Sequence, residues 1–280
     1  PGKADLIILN TCHIREKAAE KIYSELGRIK KINLSSKRDT KIAVAGCVGQ
    51  AQGQEIINRA PMVDLVFGPL TYHQLPEMLE SIKTEKGLPK KRLVNIDVPD
   101  VDKFDELKEP RKSLKSISSL LSIQEGCDKF CSFCVVPYTR GVEISRPANQ
   151  IMKEAIELIE SGAKELILLG QNVNAWSGKG LDESSWTFPR LIRELSQLSI
   201  ERIRYITSHP RDMTDELMRS HKDIQKLQPY LHLPVQSGSD RVLKEMNRGY
   251  TFADYMKIID KTREYRPDIA VSGDFIVGFP

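Results

Sequence analysis

Over the first 85 positions short apolar runs alternate with longer stretches in which apolar residues recur every three or four places. Residues 6–9, 42–45 and 65–67 are brief, unbroken and aliphatic, as parallel strands buried on both faces must be. Between the first two runs Ile14, Ala18, Ile22, Leu26 and Ile29 keep helical spacing, and Leu75, Met78, Leu79 and Ile82 repeat it further on. The pattern predicts a small three-layer parallel-sheet domain over residues 1–85. Residues 86–116 break the rhythm with Pro89, Pro99, Pro110 and many charges around one short extended piece at 93–98, and read as a connector.

A second and longer alternation fills residues 117–280. Strands are predicted at 119–124, 165–169, 203–207, 230–235 and 269–277, with helices between them. One of those helices, 151–160, has Asn149 as a start signal and Gly162 as a stop. Five βα units in succession predict a parallel sheet curling into part of a (β/α) barrel, so the fold class is α/β throughout. The chain opens on Pro1 and stops at Pro280 straight after a strand-like run, which reads as a fragment truncated at both ends.

Composition changes this picture little. The 280 residues carry 42 Lys plus Arg against 38 Asp plus Glu, a net charge of +4, and 40% apolar residues, which excludes disordered, collagenous and disulfide-scaffold chains. No apolar run approaches the ~18 to 20 residues of a membrane span and no leader pattern is visible, so a cytoplasmic protein with reduced cysteines is expected. Charge is unevenly shared. Through Ser116 there are 21 basic and 16 acidic residues (+5), and beyond it 21 against 22 (−1). The excess sits in pairs such as Lys30-Lys31, Lys37-Arg38 and Lys90-Lys91, which are compatible with nucleic acid and equally with a solvated face.

The chemistry is concentrated in five cysteines. Cys127, Cys131 and Cys134 form C-x3-C-x2-C directly after the first strand of the second domain. Three thiols this close leave one over in any disulfide scheme, and a structural zinc site wants four ligands. They suit a [4Fe–4S] cube, which normally takes four cysteines, so that one iron is left open to a small ligand. The amino and carboxylate groups of S-adenosylmethionine could occupy it, and an electron from the cube would then cut the sulfonium C–S bond to give a carbon radical. Phe133 would offer its aromatic face to an adenine-sized ligand. Polar residues close the other predicted strands, namely Gln171 and Asn172, Ser208 and His209, then Gln236 and Ser237, at the end of a barrel where active sites are built. Cys12 and Cys47 each follow a strand of the small domain and could meet at one edge of its sheet, although a lone cysteine is more often a small buried hydrophobe. No Walker A, HExxH or G-x-G-x-x-G motif occurs.

With these residues in view the chain resembles the radical S-adenosylmethionine methylthiotransferases, in the branch of the tRNA-2-methylthio-N6-dimethylallyladenosine synthases. The matching stretches include Asn10-Thr-Cys-His-Ile-Arg-Glu-Lys-Ala, Gly126-Cys-Asp-Lys-Phe-Cys-Ser-Phe-Cys-Val-Val-Pro-Tyr-Thr-Arg-Gly, Leu169-Gly-Gln-Asn-Val-Asn-Ala-Trp, Thr207-Ser-His-Pro and His232-Leu-Pro-Val-Gln-Ser-Gly-Ser-Asp. The resemblance implies two [4Fe–4S] clusters, one on Cys127, Cys131 and Cys134 and an auxiliary one on Cys12, Cys47 and a third cysteine upstream of Pro1. It implies S-adenosylmethionine held near Phe133, Gln171, Asn172, Ser208, Gln236 and Arg146, with Arg140, Asn174 and His209 toward the RNA. It further implies a last barrel strand and a C-terminal tRNA-binding domain outside this chain, and methylthiolation at C2 of an isopentenylated adenosine in a tRNA anticodon stem-loop. The expected partners are that tRNA and an electron donor of flavodoxin or ferredoxin type, the sulfur donor being undetermined, and the chain is expected to be a monomer. The other branches act on threonylcarbamoyladenosine tRNA or on a ribosomal-protein aspartate. The alternative of another class is a non-catalytic iron–sulfur redox or carrier module, which would need neither Phe133 beside the third cysteine nor polar strand ends.

Overall fold

A computed structural model describes residues 4–13, 16–36, 40–83, 91–98, 104 and 116–280. Ile14, Lys37, Arg38, Lys90, Pro89, Pro99 and Pro110, and with them most of the expected connector, lie outside the described residues. The chain divides into two compact units, Pro1–Leu107 with Cys134–Gly141 and Lys108–Phe133 with Val142–Pro280.

In the first unit the apolar runs become β1 (Leu6–Asn10), β2 (Lys41–Ala45) and β3 (Leu65–Phe67), joined through α1 (Glu16–Ser36), α2 (Cys47–Gln52) and α3 (Gln54–Arg59). α4 (Leu75–Ser81) follows, and β4 (Leu93–Asn95) completes a four-stranded sheet in the order β1-β2-β3-β4, parallel throughout. The extended piece read at 93–98 thus supplies a strand of this sheet, pairing Leu65 with Leu93 and Phe67 with Asn95. Alternation along each strand sorts side chains between two faces. Ile42, Val44 and Val66 pack on Ile22, Leu26 and Ile29 of α1. Ala43, Ala45, Leu65 and Phe67 pack on Met78 and Ile82. Both faces are therefore covered, which is why these strands read as unbroken apolar runs.

In the second unit β5 (Ser118–Ser122) leads into β6 (Gln124–Glu125) and the cysteine loop. Past the loop come α5 (Val136–Arg140), grouped with the first unit, and β7 (Ile144–Ser145), which pairs with β6. α6 (Ala148–Glu160) and β8 (Glu165–Leu169) follow, then the β9 (Ser177–Lys179) and β10 (Ser185–Thr187) hairpin. Next are α7 (Phe188–Gln197), β11 (Arg202–Tyr205), α8 (Asp215–Asp223), β12 (Tyr230–His232), α9 (Asp240–Glu245), α10 (Phe252–Tyr265) and β13 (Ala270–Ser272). β5, β8 and β11 pair in parallel, Ile203 of β11 bridges to Leu227, and β12 pairs in parallel with β13. The five strands thus lie in sequence order as an open arc of a barrel. Leu121, Leu166, Leu168, Ile203, Tyr205, Leu231 and Leu233 meet Ile151, Ala155, Leu191, Leu195 and Leu217 in one core.

Two details depart from the sequence reading. α6 begins at Ala148 after Pro147, so Asn149 lies inside the first turn, where its Oδ1 accepts from the Gln150 amide. β11 ends at Tyr205 rather than residue 207, because Thr207 turns into the left-handed region (φ 69°). A β-branched residue there is strained, and such strain gathers at functional strand ends.

Candidate functional site

The carboxyl ends of β5, β8, β11 and β12 carry the polar residues singled out from the sequence, and hydrogen bonds tie one strand end to the next. Gln124 is buried at the end of β6, and its Oε1 accepts from the amides of Gln171 (2.8 Å) and Asn172 (3.1 Å) while its Nε2 donates to Gly126 O (2.7 Å). Gln171 returns the contact, its Oε1 accepting from the Gly126 amide at 2.6 Å. Gly170 is required beside them, since a Cβ there would sit 2.4 Å from Gln124 Oε1. The start of the cysteine loop is thereby fixed to the end of the next strand.

Within the loop Cys131 is buried and Cys127 half-buried, with Phe130 left-handed at φ 49°, while the half-buried Cys134 opens the segment grouped with the first unit. Among the described residues no disulfide joins any of the three. Phe133 and Phe130 are 37% and 54% exposed, large apolar faces left in solvent between the second and third thiols and before the second. Lys129 Nζ donates to Asp212 Oδ1 at 2.7 Å, and Asn172 Nδ2 donates to the other oxygen of that carboxylate at 2.8 Å. Glu143 is half-buried nearby, its amide donating to Asp128 Oδ1. Burial raises its carboxyl above the usual range against the pull of Lys129, and Asp212 and Asp128 add to the rise.

His209 and Asn174 lock each other in place, the His209 amide donating to Asn174 Oδ1 and Asn174 Nδ2 donating to His209 O, both at 2.9 Å. Burial, together with the charges of Arg248, Lys129 and Arg211, pushes the His209 imidazole down to about 2. Its Nδ1 accepts from the Arg211 amide at 3.2 Å, so the neutral ring carries its proton on Nε2. Among the described residues that donor is buried without an acceptor, and Asn172 Oδ1 and Ser208 Oγ are likewise buried without partners. Three unpaired polar atoms on adjacent strand ends are what a bound polar ligand would satisfy.

Other expected residues divide. Gln236 stands at the end of the β12 segment in the left-handed region (φ 72°), with its amide and carbonyl bonded to Asp274 and Ile276. Arg146 is buried and already engaged within its own unit, pairing with Glu154 and donating to Ser122 O (3.2 Å) and Gln150 Oε1 (3.3 Å), so it braces β5 against α6. Arg140 is the last residue of α5. In the first unit Val48 N donates to Thr11 O and Thr11 N to Ala45 O, which brings the segments of Cys12 (exposed) and Cys47 (buried) to one sheet edge.

Several participants escaped the sequence reading. Gln124 is expected only as a strand residue, and nothing in the sequence assigns a role to Lys129 or Asp212. Arg248 and Tyr250 lie more than a hundred residues from the cysteine loop, and no local sequence signal marks them.

Among the described residues no three His, Cys, Asp or Glu side chains converge as ligands around one ion. Thiolates bound to different irons of a cube need no such convergence, and a donor set of three soft sulfurs suits iron–sulfur chemistry rather than a hard cation.

The description "Radical SAM superfamily" matches residues 121–280, and "Uncharacterized protein family UPF0004" matches residues 1–68. The chain belongs to the radical SAM superfamily. Its relatives include proteins named tRNA-2-methylthio-N(6)-dimethylallyladenosine synthase from Jannaschia sp. (strain CCS1), 55% identical over 282 residues, and Ruegeria sp. (strain TM1040), 54% identical over 281. The match takes in 100% of this chain in both cases, with 59% and 62% of those proteins. The chain thus spans about three fifths of the length of the curated relatives it matches. In fold it is similar to the cobalamin-dependent S-adenosylmethionine radical enzyme OxsB (TM-score 0.65, 16% identity, 97% of this chain and 41% of that one). It is also similar to the radical S-adenosylmethionine methyltransferase TsrM from Kitasatospora setae (TM-score 0.62, 12% identity, 98% and 57%).

Proposed function

We propose that this chain is the radical-generating part of a tRNA methylthiotransferase acting at C2 of N6-isopentenyladenosine beside the anticodon. The observation that carries the reading is the C-x3-C-x2-C loop at a parallel strand end, with Asn172, Ser208 and His209 atoms on neighbouring strand ends that have no partner among the described residues. A [4Fe–4S] cube on Cys127, Cys131 and Cys134 would supply the electron that cleaves S-adenosylmethionine to a carbon radical, the kind of reagent an unactivated aromatic C–H position requires.

The protein's own residues prepare that chemistry. Gln124 and Gln171 hold the loop backbone so that the thiols keep their spacing. Asn172 Oδ1 accepts from an ammonium group, and Ser208 Oγ and His209 Nε2–H donate to carboxylate or hydroxyl oxygens. Phe133 stacks against adenine with the face it leaves exposed. His209 stays neutral across the physiological range, so it serves as a donor and not as a base. A single-stranded anticodon-loop adenosine can be splayed toward these strand ends at modest cost.

The name printed for relatives 54 and 55% identical across the chain supports tRNA as the substrate. Cys12 and Cys47 would hold an auxiliary cluster with a further cysteine, the electron donor is of flavodoxin or ferredoxin class, and the protein acts as a monomer. Anaerobic reconstitution followed by assay with S-adenosylmethionine, a reductant and an isopentenylated anticodon stem-loop tests the whole. The expected products are 5′-deoxyadenosine and methylthiolated adenosine, with neither formed by Cys131→Ala. An unmodified adenosine in the same RNA should react on the order of tenfold more slowly or worse, as loss of an apolar group from its pocket costs ~1 to 3 kcal/mol. Undiminished cleavage by Cys131→Ala overturns the reading.

A further inference from the structure

Arg248 lies between α9 and α10 and is 4% exposed, and among the described residues it makes no ion pair with a carboxylate. Every arm of its guanidinium is nevertheless spoken for. Nε donates to Tyr250 Oη (2.9 Å), Nη2 to Pro234 O (2.8 Å) and Nη1 to Cys131 Sγ (3.2 Å). A buried cation is tolerated only when it is paired. Two of its three acceptors are neutral oxygens. The third is a sulfur that carries negative charge once it ligates iron, because the thiolate is the ligand.

We infer that Arg248 is the built-in counter-charge of the iron–sulfur cube, a positioning residue that donates from Nη1 to the Cys131 thiolate and favours the cube's reduced state. The inference rests on the cluster reading above. Reduction transfers one electron from a flavodoxin- or ferredoxin-class donor, which is oxidised by one electron, to the cube, which gains one negative charge. A fixed positive charge and a hydrogen bond at a ligating sulfur stabilise that extra charge and raise the potential.

The surroundings hold Arg248 to this task. Tyr250 Oη donates to Val235 O at 2.8 Å, and its ring lies 5.3 Å from the guanidinium carbon. The preceding residues grip the loop from the same side. Ser132 donates through its amide to Met246 O (3.1 Å) and through Oγ to Glu245 O (2.9 Å), and Asn247 Nδ2 donates to Phe130 O (3.0 Å). Asn247 is left-handed (φ 56°), which turns the chain out of α9 and lets residues 245–248 face the loop together. Neither thiol packing nor RNA binding would call for a buried guanidinium aimed at one sulfur.

The test uses the protein reconstituted with iron and sulfide in a Cys12→Ala, Cys47→Ala background, so that one cube titrates. Arg248, Arg248→Lys and Arg248→Gln are compared by redox titration followed by electron paramagnetic resonance, and by iron loss to a chelator. Arg248→Gln should show a lower midpoint potential and release iron about tenfold faster or more, with Arg248→Lys between it and the native protein. Tyr250→Phe, which keeps the charge but frees Nε, should shift the potential the same way by less. Should Arg248→Gln fail to fold by circular dichroism, the Lys and Phe variants decide on the same readout. A native cube signal with potentials and iron loss unmoved in the folded variants overturns this inference alone. Absence of any [4Fe–4S] signal from the native protein overturns the cluster reading as well.

Discussion

Gly46 joins β2 to α2 at φ +90°, and a Cβ there would lie 2.4 Å from Asn10 Oδ1 and 2.7 Å from Thr11 O. Asn10 Oδ1 is itself held by the Tyr72 hydroxyl at 3.0 Å, so the clash could be relieved only by moving the residues that carry Cys12. Left-handed strain and a backbone collision together predict that Gly46→Ala costs about 2 kcal/mol or more, read as a lower urea midpoint. An unchanged midpoint would mean that the turn relaxes freely. At this scale the C-x3-C-x2-C spacing is legible in the chain itself and predicts an iron–sulfur site. Arg248 is not legible, because what defines it is a contact across 117 residues and not a local pattern. Arg146 shows the opposite case, a residue whose motif suggested ligand contact and whose guanidinium is bonded to Glu154, Ser122 and Gln150.

Between elements, α8 docks on β11 through a buried pair in which Tyr205 Oη and His221 Nε2 share a hydrogen bond of 2.7 Å. Phe188 of α7 meets the Tyr205 ring edge-on, with centroids 5.2 Å apart. Burial raises the Tyr205 hydroxyl above its ordinary range and pushes the His221 imidazole from 6.5 down to about 4. The unfolded chain therefore binds a proton that the native one refuses as pH falls from 6.5 toward 4. This contribution is fully present above 6.5 and is lost on acidification, by up to about 1.4 kcal/mol per pH unit. Urea unfolding at pH 7 and pH 5 should show that loss, and His221→Gln should flatten the slope. Elements with a strong period were legible: β1, β3, β8 and α4 fall on or within a residue of the expected runs. The ends of β11 and α6 were not, because a left-handed Thr207 and a preceding Pro147 set them, and backbone conformation leaves little trace in hydrophobic pattern. The piece at 93–98 was legible as extended but not as a strand of the first sheet, since three residues are too few to show alternation in a charged stretch.

For the molecule as a whole, Cys12 and Cys47 lie on the small parallel sheet and Cys127 and Cys131 on the barrel arc, with Cys134 opening the segment grouped with the first unit. Separate backgrounds predict separable chemistry. On the function proposed above, Cys12→Ala should leave the rate of 5′-deoxyadenosine formation unchanged and abolish the methylthiolated product, both followed by chromatography of one reaction mixture. Persistence of that product would make the small sheet's thiols structural. The grip of residues 245–248 on the cysteine loop also sets an order in time. Ser132 and Cys131 are synthesised 113 and 117 residues before the groups that hold them. At ordinary elongation rates this interval lasts roughly 6 to 20 s. Throughout it Cys131 and Ser132 lack the groups that hold them, so on the cluster reading proposed above a cube would be inserted only after the fourth barrel strand and α9 have been synthesised.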